Sequence, residues 1–183
     1  MVWIIVIVIL AVLVIWAISS YNSFITWKNK VEEAFSTMDV YLKKRYDMIP
    51  NLVETVKGYA KHESETLEAV INARNAAASA TTMEGKIEAE KGLSGVLGRL
   101  FALTESYPDL KANQNFIELQ TQIKQMEEEI ANSRKYYNGV VKEYNTRCEM
   151  FPSSIIASIF NFKKQPMFVV SDETQRENVK VQF

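Results

Sequence analysis

The chain has 183 residues, with 21 Lys and Arg against 22 Asp and Glu, one Cys, one His and 48% apolar side chains. Near-zero net charge with Lys and Glu intermixed leaves no basic footprint for nucleic acid. A lone cysteine excludes an intramolecular disulfide and a Cys-rich zinc site.

No charged side chain precedes Lys28, and residues 2–18 are an almost unbroken run of Val, Ile, Leu, Ala and Trp. At about 1.5 Å per residue, a helix over residues 1–21 crosses a hydrocarbon layer of roughly 30 Å. A cleavable signal peptide is the rival reading, but the basic n-region is missing and Trp16 and Tyr21 crowd the cleavage site. Trp3 and Trp16 lie near opposite ends of the run, where indole rings favour the headgroup boundary. Lys28, Lys30, Lys43, Lys44 and Arg45 follow the run and none precedes it. The positive-inside rule therefore predicts a single-pass protein of the inner (cytoplasmic) membrane, N-terminus outside and main domain cytoplasmic.

Residues 22–151 read as helices. Phe24, Val31, Phe35, Met38, Leu42 and Ile49 form a stripe at helical spacing, with Lys28 and Arg45 on the remaining steps. Pro50 lacks an amide hydrogen and disfavours helical angles at Ile49, so a reversal is expected there, with a second helix starting at Pro50. Its stripe is Val53, Val56, Ala60, Leu67, Val70 and Arg74. Thr81 and Thr82 predict a connection and N-cap. A third helix carries Ile87, Leu93, Leu97 and Leu100, with Gly92, Gly95 and Gly98 three apart, a spacing that predicts close approach of a neighbouring backbone. Tyr107, Pro108 and Asp109 mark a turn. The fourth helix is the longest, running through Phe116, Ile123, Ile130, Tyr137, Tyr144 and Cys148, and its spacing predicts coiled-coil-like packing. The expected fold is all-α: the transmembrane helix continues into an antiparallel up-down-up-down four-helix bundle.

Residues 152–165 read as a short amphipathic segment. Ile155, Ile156, Ile159, Phe160 and Phe162 precede the paired Lys163 and Lys164. Together with Trp3 and Trp16, these are candidate contacts with lipid or with another subunit, and capping of the bundle core is the alternative. Residues 166–183 are a tail, read either as flexible or as a strand docking on a neighbouring subunit, with alternating Val179, Val181 and Phe183.

Reactive constellations fail on inspection. Tyr59 precedes His62 where a di-iron Glu-x-x-His motif needs Glu, and Thr66 stands where a zinc protease needs its second His. No phosphate-binding glycine loop is present. Glu63, Glu65 and Glu68, and Glu127 to Glu129, read as solvated faces. Cys148 lies on an apolar stripe and reads as a structural thiol. Tyr137-Asn138 and Tyr144-Asn145, one heptad apart, predict packing specificity and hydrogen bonds between helices. No cofactor or metal is expected. Arg45, Asp47, Asn51 and Glu54 form a candidate interaction group near the anchor-distal turn, with satisfaction of backbone groups at Pro50 as the bland alternative.

Several whole phrases closely resemble the LemA family: Tyr21-Asn22, residues 39–60 (DVYLKKRYDMIPNLVETVKGYA), Ala112 to Phe116 (ANQNF), Tyr137-Asn138 through Tyr144-Asn145 to Phe151-Pro152, and Phe160-Asn161-Phe162-Lys163. The resemblance covers nearly the whole chain, the anchor included. It implies a single-span membrane protein with a small exterior N-terminus and a helical bundle, and it brings no agreed enzymatic activity. Relatives in magnetosome-forming bacteria, tied to building membrane compartments, imply a membrane-organising role by analogy. The expectation is a noncatalytic scaffold in contact with membrane lipid and forming a homo-oligomer. The alternative is a tethered adaptor or signalling module for an unidentified protein partner.

Overall fold

A computed structural model describes residues 1–168, and among them every regular element is an α-helix. In chain order these are α1 (Val2–Lys57), α2 (Ser64–Ser79), α3 (Met83–Thr104), α4 (Pro108–Lys111), α5 (Gln114–Glu149) and α6 (Ser153–Ile159). The tail positions Val179, Val181 and Phe183 lie outside the described residues.

The anchor and the first bundle helix are one element. α1 has 56 residues, a rod about 84 Å long at the standard rise. It is the one described helix long and apolar enough to cross a membrane. Its side chains through Ile15 are exposed, and packing begins at Trp16 and Ala17.

The predicted reversal at Pro50 does not occur, because Pro50 lies inside α1. A proline there orphans the carbonyl four residues back, that of Tyr46. Arg74, arriving on α2, donates from Nε to that oxygen at 3.1 Å. The chain instead breaks at Gly58, where Tyr59 N bonds Val56 O at 3.0 Å and tightens the last turn. Other boundaries fall where side chains dictate. Thr82 caps α3 by accepting from Gly85 N at 3.1 Å, and Asn113 caps α5 by accepting from Phe116 N at 3.0 Å.

Contact pairs give the directions. Phe24 meets Tyr144, Phe35 meets Tyr137, and Arg45 meets Glu127, so α1 and α5 are antiparallel. Asp39 meets Lys86 and Arg45 meets Glu90, so α1 and α3 are parallel. Tyr107, just after α3, donates to Glu63, just before α2, at 3.0 Å, closing the α2–α3 hairpin. The core runs through Met38, Leu42, Ile49, Leu52, Leu93 and Leu100, each fully buried. Such side chains stabilise by about 1.5–3 kcal/mol apiece.

The hairpin is shorter than the α1–α5 pair, because α2 ends at Ser79 and α3 begins at Met83, beside Tyr137. On the anchor side of that level, α1 and α5 are covered by α6 and residues 165–168 rather than by further long helices. Gly92, Gly95 and Gly98 do not mark a close approach: a Cβ at any of them meets nothing within 4 Å. Nothing in the structure explains these glycines.

Candidate functional site

Charge is buried in the anchor-distal half. Arg45 falls on the apolar stripe between Leu42 and Ile49 and is 0% exposed, with Glu90 on α3 at 1%. The Arg45 guanidinium donates through Nη2 to Glu90 and through Nη1 to Glu127 on α5. The Tyr46 hydroxyl also donates to Glu90, and Arg134 Nη2 does so at 2.9 Å. Burial alone lowers the pKa of Arg45, but the Glu90 and Glu127 carboxylates beside it outweigh burial and hold it above its ordinary value. Burial, reinforced by the bond to Glu90, pushes the Tyr46 hydroxyl far above its usual range. The cluster ties α1, α3 and α5 at one level, a place from which buried polar groups can set helix register.

The four candidate interaction residues are therefore split. Arg45 points into the core, whereas Asp47, Asn51 and Glu54 are exposed, Asp47 lying 3.9 Å from Arg74. With α1 continuous, no turn at Pro50 needs their side chains; the Tyr46 carbonyl is met by Arg74. Glu127 leaves the run read as solvated and turns toward Arg45, while Glu128 and Glu129 stay exposed. Sequence reading missed Glu90, Tyr46 and Arg134 as partners. A signal existed, since Glu90 stands three residues from both Ile87 and Leu93, so charged positions sit on the apolar stripes of two helices.

The anchor-proximal half reverses this arrangement. Ser153 donates to Arg147 O at 2.7 Å, closing α5 as the chain turns into α6. After α6, Asn161 takes a left-handed φ of 56°, which asparagine tolerates, and Phe162 N bonds Ala157 O at 2.9 Å. That reversal stacks the Phe162 ring on Phe24 at 4.8 Å, while Phe160 meets Tyr21 at 4.7 Å. The segment thus sits beside the end of the apolar run. Its residues divide between the two readings of residues 152–165. Ile156 is buried and Phe162 partly so, while Ile155, Phe160 and Ile159 (68% exposed) face outward with Phe151 (80%). Ile155 and Ile159 are one step of four apart on the same face of α6, and Phe151 stands just before that helix. Lys163 is exposed beside them, and Lys164 reaches Glu149 at 2.7 Å. Trp3 is exposed, but Trp16 packs partly against the bundle.

Asn138 and Asn145 do not link long helices. They bind the extended backbone at Phe168 and Gln165, so the start of the tail docks on its own α5. Cys148 is half-buried beside Tyr144, and burial raises its thiol pKa. Burial also lifts the Tyr144 hydroxyl to about 12. A high thiol pKa suits structural packing better than nucleophilic attack.

A helical domain continuous with one apolar helix defines a class, the membrane-associated helical protein carried on a single N-terminal anchor. The chain belongs to the LemA family, whose pattern matches residues 34–183, beginning within α1 beyond the apolar run. It is 25% identical over 174 residues to magnetosome protein MamQ 2 of Paramagnetospirillum magneticum, covering 81% of this chain and 64% of that protein. It is 24% identical over 174 residues to magnetosome protein MamQ of Magnetospirillum gryphiswaldense, covering 81% and 64%. Protein LemA of Metamycoplasma hominis is 23% identical over 152 residues, covering 82% of this chain and 69% of that protein. The chain spans about 64% of the length of the MamQ relatives it matches.

Proposed function

We propose that this chain is a noncatalytic, membrane-anchored scaffold that self-associates at the bilayer and organises or remodels it, with its N-terminus outside and its helical domain cytoplasmic at the inner membrane. The observation that carries this reading is the outward row of Phe151, Ile155, Ile159 and Phe160 beside the exit of the anchor. Each such side chain contributes about 1.5–3 kcal/mol when it leaves water, so the row favours lipid or another copy over solvent. The MamQ relatives, named as magnetosome proteins, support a role at membranes. The noncatalytic reading is supported by the commitment of Glu90 and Glu127 to Arg45.

An adaptor is the second reading, favoured by an open groove of about 510 Å³ between α1 and α5, lined by Trp27, Tyr136, Gly139 and Val140. Mass measurement in mild detergent and in nanodiscs separates the two. The scaffold predicts an oligomer that becomes smaller in the variant Ile155→Ser, Ile159→Ser, Phe160→Ser, with helicity retained because these side chains lie outside the core. A wild-type monomer under all these conditions would favour the adaptor.

A further inference from the structure

Asn138 and Asn145 stand one heptad apart on α5, about 10.5 Å along the helix axis. Residues 165 and 168 are three apart, which in extended backbone is about 10 Å. The two periods coincide, and each asparagine meets one residue of the segment as a strand neighbour would. Asn145 donates to Gln165 O at 2.9 Å and accepts from Gln165 N at 2.8 Å. Asn138 makes the same two bonds with Phe168, each at 2.8 Å. Between them Pro166 has no N–H to satisfy, and its carbonyl accepts from the Tyr137 hydroxyl at 2.9 Å. The Phe168 ring is buried edge-on to Tyr137 at 5.6 Å and lies 5.3 Å from the Arg134 guanidinium.

We propose that this face of α5 is a binding site for an extended peptide, and that between molecules its ligand is residues 165–168 of a second copy, taken in exchange for the chain's own. The site reads backbone at its first and fourth positions, accepts proline at the second and takes an aromatic ring at the fourth. None of these contacts depends on the segment belonging to the same chain. Every copy carries a segment that fits, and exchange of an identical element between subunits creates no new contact chemistry. Confinement by α1 raises the local concentration of neighbours. Residues 160–164 reach at most about 17 Å when extended, so the exchanging copies lie side by side at their α6 segments. The inference rests on the self-association proposed above and specifies one contact within it.

Hydrogen exchange on two full-length, mass-distinguished variants in nanodiscs tests it. The variant Asn138→Ala, Asn145→Ala keeps the segment but loses the groove; Phe168→Ser keeps the groove but weakens the segment. Alanine suits a helix, so α5 forms in the first variant. Alone, each variant should exchange the amides at positions 165 and 168 about tenfold faster than wild type. In a mixture placing both variants in the same discs, the segment of the first variant should regain protection as the second is added. Wild-type protection in the asparagine variant alone would overturn the site. Absence of recovery in the mixture would overturn the exchange, and if oligomers persist under those conditions, self-association stands without it. As an independent check of register, a glycine inserted between Pro166 and Met167 should abolish protection at one of the two paired amides; full protection would contradict the matched periods.

Discussion

The two halves of the helical domain treat polarity in opposite ways. In the anchor-distal half, Arg45 and Glu90 are buried where leucines would fit, and each charge finds its counterpart on another helix. In the anchor-proximal half, Phe151 and Ile159 face outward while half-buried asparagines hold an extended segment. In the distal half Arg45 of α1 meets Glu90 of α3 and Glu127 of α5, and Arg74 of α2 meets the Tyr46 carbonyl. The proximal half has apolar surface left over, and it sits where the anchor ends. Paired charge inside ties three helices at one level; the apolar surface outside is the part of the domain that the proposed scaffold uses.

The largest expected effect follows from the buried cluster. Glu90→Leu leaves the Arg45 guanidinium in the core with Glu127 as its remaining carboxylate, and should cost about 3–5 kcal/mol in chemical denaturation. Replacing Arg45, Tyr46, Glu90 and Arg134 together by Met, Phe, Leu and Leu should cost about 1 kcal/mol or less, because neither a buried charge nor the Tyr46 hydroxyl that donates to Glu90 is stranded. A large loss in this quadruple variant would mean that the ions stabilise the distal half as well as setting its register.

Next comes the proline. Arg74→Leu should cost about 1–3 kcal/mol by leaving the Tyr46 carbonyl unpaired. In a Pro50→Ala background the cost should fall, since the alanine N–H can take that carbonyl. A double-mutant cycle with no coupling would show that Arg74 acts elsewhere. Replacing Gly92, Gly95 and Gly98 by Ala, one at a time, should stabilise by about 0.5–1 kcal/mol each, as the added methyl meets nothing. Destabilisation would reveal a partner on that face of α3.

The smallest expected effect is alkaline. Tyr46, Tyr137 and Tyr144 have raised pKa values in the folded chain, burial being the first cause for each. Their contribution is complete below the ordinary tyrosine value of about 10 and is lost above it, as the unfolded chain ionises first. Unfolding midpoints measured from pH 8 to 12 should decline from about pH 10, less steeply in Tyr46→Phe.

Helices were legible in the sequence because their apolar period survives tertiary packing. The Thr82 cap was legible because a cap is a local device, whereas the Asn113 cap of α5 was not read. Pro50 misled because its remedy is Arg74, a residue far along the chain on another helix, and local rules carry no record of it. α6 resisted a single reading because its seven residues split between a buried and an exposed face. The docking of residues 165–168 was invisible for a different reason: Asn138 and Asn145 recognise backbone atoms, which leave no pattern in the side chains they bind.

On the proposed scaffold, the anchor-proximal apolar row meets lipid or another copy rather than water. Electron paramagnetic resonance on the full chain in nanodiscs tests it most directly, with a nitroxide at Ile159→Cys in a Cys148→Ala background and a second sample labelled at exposed Lys61→Cys. The position 159 label should collide more often with lipid-soluble oxygen than with a water-soluble nickel chelate, and the position 61 label the reverse. If both positions meet the nickel chelate freely, the row faces water and the claim is contradicted.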